Sequence, residues 1–135
     1  MRSFLDTNVL VYAFAKNDTR AAAAETLLAS GGFCSVQVLN EFVAVMSRKL
    51  HMPWREILAA LNAIRTLLEK PEAITIETHE RALWIAARHG YHIFDSLVIA
   101  SALAASCSVL YTEDLQDGQN IEGLMIRNPF RIRET

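Results

Sequence analysis

The chain has 135 residues, 52% of them hydrophobic and 21% charged, with a net charge of −2. That length and balance fit one globular domain over residues 1–135 with a sizeable core, and exclude a low-complexity chain. The slight acidity argues against a nucleic-acid binder with a generally basic surface, unless several carboxylates are withdrawn into one site and leave the rest mildly basic.

The opening stretch MRSFLDTNVLVYAFA is apolar, but Asp6 and Asn8 interrupt it where a secretion signal would be most hydrophobic, so the chain reads as cytoplasmic. Ser3–Asp6 is expected to form a short strand and Val9–Ala15 a helical turn or two. Asp18 or Thr19 is expected to cap a helix through Ser30, closed by Gly31 and Gly32. Phe33–Ser35 reads as a second strand. Val36–Leu50 has helical apolar spacing at Val36, Leu39, Val43 and Met46. Pro53 suits the first turn of a further helix, whose inner stripe is Ile57, Leu58, Leu61, Ile64, Leu67 and Leu68, and Pro71 stops it.

Ala73–Glu77 alternates as a strand should, and Thr78 can cap a helix ending at His89 and Gly90. Asp95–Ser106 is apolar on nearly every side, which marks a central helix. Its run LVIASALAA is a buried-helix length, too short for a membrane span. Ser108–Tyr111 and Leu124–Arg127 complete the strands. Cys34 and Cys107 sit in apolar surroundings without a CxxC pattern and read as reduced core residues. Short apolar strands alternating with helices predict a three-layer α/β/α sandwich around a central, mainly parallel sheet of four to five short strands.

In such sheets ligands gather beyond the carboxyl ends of the strands. Asp6 ends the first strand, Glu41 lies two turns into the helix after the second, and Asp95 begins the central helix. Asp114 and Asp117 follow the strand ending at Tyr111. Singly, each acid has a plainer explanation: Asp6 and Asp95 as helix caps, Glu41 on a solvated face, Asp114 and Asp117 in a turn. Their coincidence at one edge points to a site. Carboxylates crowded together repel unless a cation joins them, and the all-oxygen ligand set favours Mg²⁺ or Mn²⁺ over Zn²⁺. Such an ion suits phosphodiester hydrolysis.

FLDTNVLVYAF, SVQVLNEF at 35–42, FDSLVIASALAASC at 94–107 and LYTEDLQDGQ at 110–119 resemble the successive motifs of PIN-domain proteins, most of all the VapC-type ribonuclease toxins of toxin–antitoxin pairs. The resemblance runs through nearly the whole chain, in order. It implies a PIN-like fold, a Mg²⁺- or Mn²⁺-dependent endoribonuclease leaving a 5′-phosphate, a homodimer and a small antitoxin partner. Asp6, Glu41 and Asp95 match its first three acids. The last falls two or five residues after Thr112, on Asp114 or Asp117, and both stay open. Thr7 and Asn8 match positions that support the site by hydrogen bonds, with Thr112 beside them.

For RNA contact the candidates are Arg48 and Lys49, then Arg127, Arg131 and Arg133, with His89 and His92 before Asp95; solvated surface charge is the competing explanation for each. The helix over 53–69, with Trp54 on its first turn, is where an antitoxin or second copy is expected. Two other functions compete. A haloacid-dehalogenase-like phosphatase would use Asp6 as nucleophile, but its pattern wants a second aspartate where Asn8 stands. A catalytically idle PIN-like domain binding RNA or a partner would have lost an acid, and every acid position is filled.

Overall fold

The computed structural model describes residues 2–131. Arg133 lies outside the described residues. Strand β1 (Ser3–Leu5) places Phe4 and Leu5 wholly in the interior. It pairs in parallel with β2 (Val109–Tyr111), β2 pairs in parallel with β4 (Leu124–Arg127), and β3 (Asn120–Ile121) closes the other edge antiparallel to β4. The sheet order is therefore β1-β2-β4-β3. Leu5 lies opposite Tyr111, which aligns the ends of β1 and β2.

Six helices are described: α1 (Thr7–Phe14), α2 (Ala21–Ala29), α3 (Val36–Arg48), α4 (Trp54–Leu67), α5 (Ile76–His89) and α6 (Ile93–Ala104). α1 packs on α2 and α3, and α4 on α2 and α3. α5 packs on α6, which in turn lies against β2 and β4. Ser96 through Ala102 of α6 are all buried, as its apolar circumference predicts. The core joins both groups through Phe4, Leu10, Phe42, Met46, Ile64, Ile85, Ile99, Leu110 and Ile126. The mixed α/β architecture with a mainly parallel sheet agrees with the expected class.

Several boundaries differ for identifiable reasons. The strand expected at Phe33–Ser35 is reduced to two isolated parallel bridges, Phe33 with Phe4 and Ser35 with Glu72. A Cβ on Gly32 would lie 2.8 Å from the Ser3 carbonyl oxygen, and Gly32 has φ +135°, so only glycine lets the chain pass this close to β1. Ser35 leaves the strand to cap α3, accepting from Val38 N at 3.1 Å.

The strand expected at Ala73–Glu77 is absent. Thr75 caps α5 there, accepting from Thr78 N at 3.2 Å, so the alternating pattern is the approach to a helix, and capping outweighs β-propensity. At α2 the cap position falls on Arg20, not Asp18 or Thr19, because Asp18 is taken up by Arg20. α6 starts two residues early, with His92 as its cap, and Asp95 lies within the first turn. β3 was not foreseen: it pairs with β4 through a two-residue turn at Glu122 and Gly123, both at positive φ, as tight hairpins require.

Cys34 and Cys107 are buried free thiols, pushed by burial up to about 12 and about 11. No described helix is long and apolar enough to cross a membrane.

Candidate active site

Asp6 stands at the carboxyl end of β1 and is also the N-cap of α1, so the structural and functional explanations of this residue coincide. Its side chain is almost fully buried, at 4% exposure. Oδ1 accepts from Thr7 N at 2.7 Å and Oδ2 from the Thr112 hydroxyl at 2.8 Å. Burial nevertheless dominates, and with help from Asp114 and Glu41 it raises the carboxyl from 3.8 to about 7.

Thr112 connects this acid to the loop after β2. Its Oγ1 accepts from Asp114 N at 3.1 Å and from Asn8 Nδ2 at 3.3 Å, and Asn8 Nδ2 also donates to Asp114 Oδ2 at 3.1 Å. Asn8 Oδ1 is buried with no partner, an acceptor left pointing into polar surroundings. On the other flank the Thr7 hydroxyl donates to Glu41 Oε2 at 3.0 Å, and Gln37 Nε2 donates to Glu41 Oε1 at 3.4 Å. Gln37 was missed in the sequence, although its position one turn before Glu41 is the signal that could have found it.

Asp95 is raised above 3.8 by burial and then by Asp114, with Glu41 adding to the shift and His92 opposing it. Thus Asp114 and Glu41 act on both Asp6 and Asp95, and Thr7, Asn8 and Thr112 link Asp6, Glu41 and Asp114 by hydrogen bonds. Asp117 is turned elsewhere: Oδ1 accepts from Asn128 N at 2.9 Å, and Oδ2 lies 3.6 Å from Arg131 Nη1. Among the described residues no three His, Cys, Asp or Glu side chains are drawn in around one point.

A cavity of about 420 Å³ opens beside the acids, lined by Thr7, Asn8, Tyr12, Glu41, Lys49 and Asp114 among others. Lys49 lines this cavity and Arg48 does not, although both are exposed. Arg127 and Arg131 line a different cavity, beside Ser108 and Tyr111. His89 stacks on Tyr91, and His92 caps α6 through Nδ1.

These shifts have a measurable consequence. Asp6 binds its proton more tightly in the folded chain, so across the window from about 4 to about 7 the folded state holds more protons than the unfolded one. The stability contributed by the protonated acid is complete below that window and is lost as pH rises through it. Metal-free protein is expected to melt higher at pH 5 than at pH 8. Asp95→Asn should add about 1–3 °C at pH 8, a small gain because solvent screens this half-buried group. Thermal melts of both proteins at the two pH values check this, and a clear loss for Asp95→Asn would make Asp95 chiefly a helix-dipole residue.

Comparison with known proteins gives the same picture. The family model for the PIN domain matches residues 3–116. Among solved structures, the chain is similar to Mycobacterium tuberculosis VapC20, described as a sarcin-ricin loop cleaving toxin, at 27% identity and a TM-score of 0.69 over 83% of this chain and 89% of that one. A toxin–antitoxin complex from Klebsiella pneumoniae aligns at 21% identity and a TM-score of 0.70, over 96% and 99% of the two chains. VapBC2 from Rickettsia felis, bound to a DNA fragment from its promoter, aligns at 22% and 0.68, over 95% and 98%. The latter two bear on the fold alone. No curated protein matches significantly. With the family model spanning most of the chain, this protein belongs to the PIN domain family.

Proposed function

We propose that this protein is a metal-dependent endoribonuclease and the toxin of a toxin–antitoxin pair. The observation that carries the reading is the electrostatic action of Asp114 and Glu41 on both Asp6 and Asp95, with Glu41 and Asp114 lining a cavity beside them. The likeness to VapC20, whose description names RNA cleavage, supports it.

The residues fit a hard divalent ion. The donors are carboxylate oxygens, and Asn8 Oδ1 is an acceptor in need of a donor such as a metal-bound water. Asp6, Asp95 and Asp114 would hold Mg²⁺ or Mn²⁺. When bound, the ion would polarise the phosphate and lower the pKa of the attacking water. Glu41, steadied by Thr7 and Gln37, takes the proton of that water as it attacks phosphorus in line with the 3′ oxygen. The cleaved bond leaves a 5′-phosphate and a 3′-hydroxyl, with no covalent enzyme intermediate. Thr112 and Asn8 keep Asp6 and Asp114 at their stations through the hydrogen bonds already described.

Purified protein should cut structured RNA with Mg²⁺ or Mn²⁺ and stop with excess chelator; equal cleavage in both conditions would sink the reading. Lys49 supplies the cavity with a positive charge for a phosphate. Lys49→Ala should weaken RNA binding several-fold and reduce the slope of log affinity against log salt by about 0.7. Binding titrations at a series of salt concentrations check this, with Arg48→Ala expected to leave the slope unchanged.

An antitoxin is the expected partner, as the resemblance of the four motifs to VapC-type toxins implies. α4 offers it the exposed side chains Trp54 and Leu58. A second copy has a candidate face in Ile76, Leu83 and Trp84, which share one side of α5 and are exposed.

A further inference from the structure

Beside Asp114 stands an acid that the proposed chemistry does not use. Glu113 Oε1 accepts from the Tyr12 hydroxyl, and Oε2 lies 3.7 Å from Arg20 Nη1. Arg20 in turn lies 3.8 Å over the face of the Tyr12 ring and donates to Tyr12 Oη at 2.7 Å. Asp18 fixes the guanidinium from below, accepting from Nε at 2.9 Å and from Nη2 at 2.9 Å. Phe130 meets the Tyr12 ring edge-on, with centroids 5.0 Å apart. The phenol is thus held on its face, its edge and its oxygen.

The position of Tyr12 on α1 gives this cluster its meaning. Asn8 and Tyr12 are four residues apart and share one face of the helix that begins at Asp6. Asn8 reaches Thr112 and Asp114, while Tyr12 reaches Glu113. One helix face therefore grips successive residues of the loop after β2, and Tyr12 lines the same cavity as Glu41 and Asp114. Burial, followed by Glu113, pushes the phenol up to about 12, so it remains a donor throughout the neutral range.

We propose that Tyr12 and Arg20 are positioning residues for Asp114. Acting through Glu113, they fix the loop that carries Asp114 beside Asp6 and Asp95. The inference rests on the nuclease reading above. A surface ion cluster that merely ties α1 to the loop would contribute stability and leave metal affinity alone.

Tyr12→Phe separates the two roles, because it removes only the hydroxyl and keeps both ring contacts. The experiment is calorimetric titration of Mn²⁺ into wild type, Tyr12→Phe, Glu113→Ala and the double variant. Melting temperatures and RNA cleavage across Mn²⁺ concentrations accompany it. Tyr12→Phe should weaken Mn²⁺ binding about 10–100-fold while melting within a few degrees of wild type, and saturating Mn²⁺ should restore most cleavage. Glu113→Ala should weaken Mn²⁺ similarly, and the double variant should be no worse, since Tyr12 acts through Glu113. Arg20→Gln should move Mn²⁺ affinity in the same direction.

Unchanged Mn²⁺ affinity in Tyr12→Phe overturns the proposal, whatever happens to its melting temperature. A raised KM for RNA at unchanged Mn²⁺ affinity also overturns it, by making Tyr12 a direct substrate contact. Wild-type protein that neither binds Mn²⁺ nor cleaves RNA overturns the nuclease reading and this proposal together.

Discussion

Asp6→Asn is expected to reduce RNA cleavage by more than about 100-fold, beyond what loss of a supporting residue costs in a metal site. The substitution hardly changes volume. Its Oδ1 can still accept from Thr7 N, so the cap of α1 survives. The Thr112 hydroxyl loses the carboxylate oxygen it donates to, which is destabilising, and the interior loses a charge that burial penalises, which is stabilising. These changes oppose each other. The variant should therefore melt within a few degrees of wild type without metal, yet lose most of the melting-temperature rise that Mg²⁺ gives the wild type by mass action. Cleavage assays paired with melts, with and without Mg²⁺, check both halves. Residual cleavage above about one tenth of wild type would place the chemistry elsewhere.

The second large effect is expected at Asp114. Asp114→Asn should lower Mn²⁺ affinity and cleavage by more than about 100-fold, because Asp114 acts electrostatically on both Asp6 and Asp95. Asp117→Asn should remain within about 10-fold of wild type. Its Oδ1 can still accept from Asn128 N. The pairing of its Oδ2 with the exposed Arg131 is weakened, and a single ion pair of that length contributes about 1 kcal/mol or less. Mn²⁺ titrations of the two variants decide the matter, and a larger loss for Asp117→Asn would reverse the assignment.

That comparison marks how far the chain could be read before its structure. Asp6, Glu41, Asp95 and Asp114 are candidates from the sequence because parallel strands alternate with helices, and strand ends in such a sheet collect ligands. Asp117 was inseparable from Asp114 in one dimension. Both follow Thr112, and only the return of the chain along β4 brings Asn128 N to the Asp117 carboxylate. The false strand at Ala73–Glu77 has a local cause, since Ile74 and Ile76 alternate with Thr75, whose hydroxyl caps a helix instead. β3 escaped notice because two residues carry no periodicity. The cluster of Tyr12, Arg20 and Glu113 was beyond reach for another reason: no spacing rule links a helix, a following turn and a loop about a hundred residues later.

The parallel pairing of β1 with β2 also sets the order in which the candidate site can assemble. Asp6 depends on the Thr112 hydroxyl, 106 residues further along the chain, and β2 must settle against β1 before the two meet. Contacts of such long separation form late, after the entropy of closing the loop has been overcome by packing elsewhere. While the polypeptide is still growing on a ribosome, an emerged α1 can hold Asp6 but has neither Thr112 nor Asp114 to complete it. On the proposed nuclease reading, the set of acids would therefore stay incomplete until nearly the whole domain has been made.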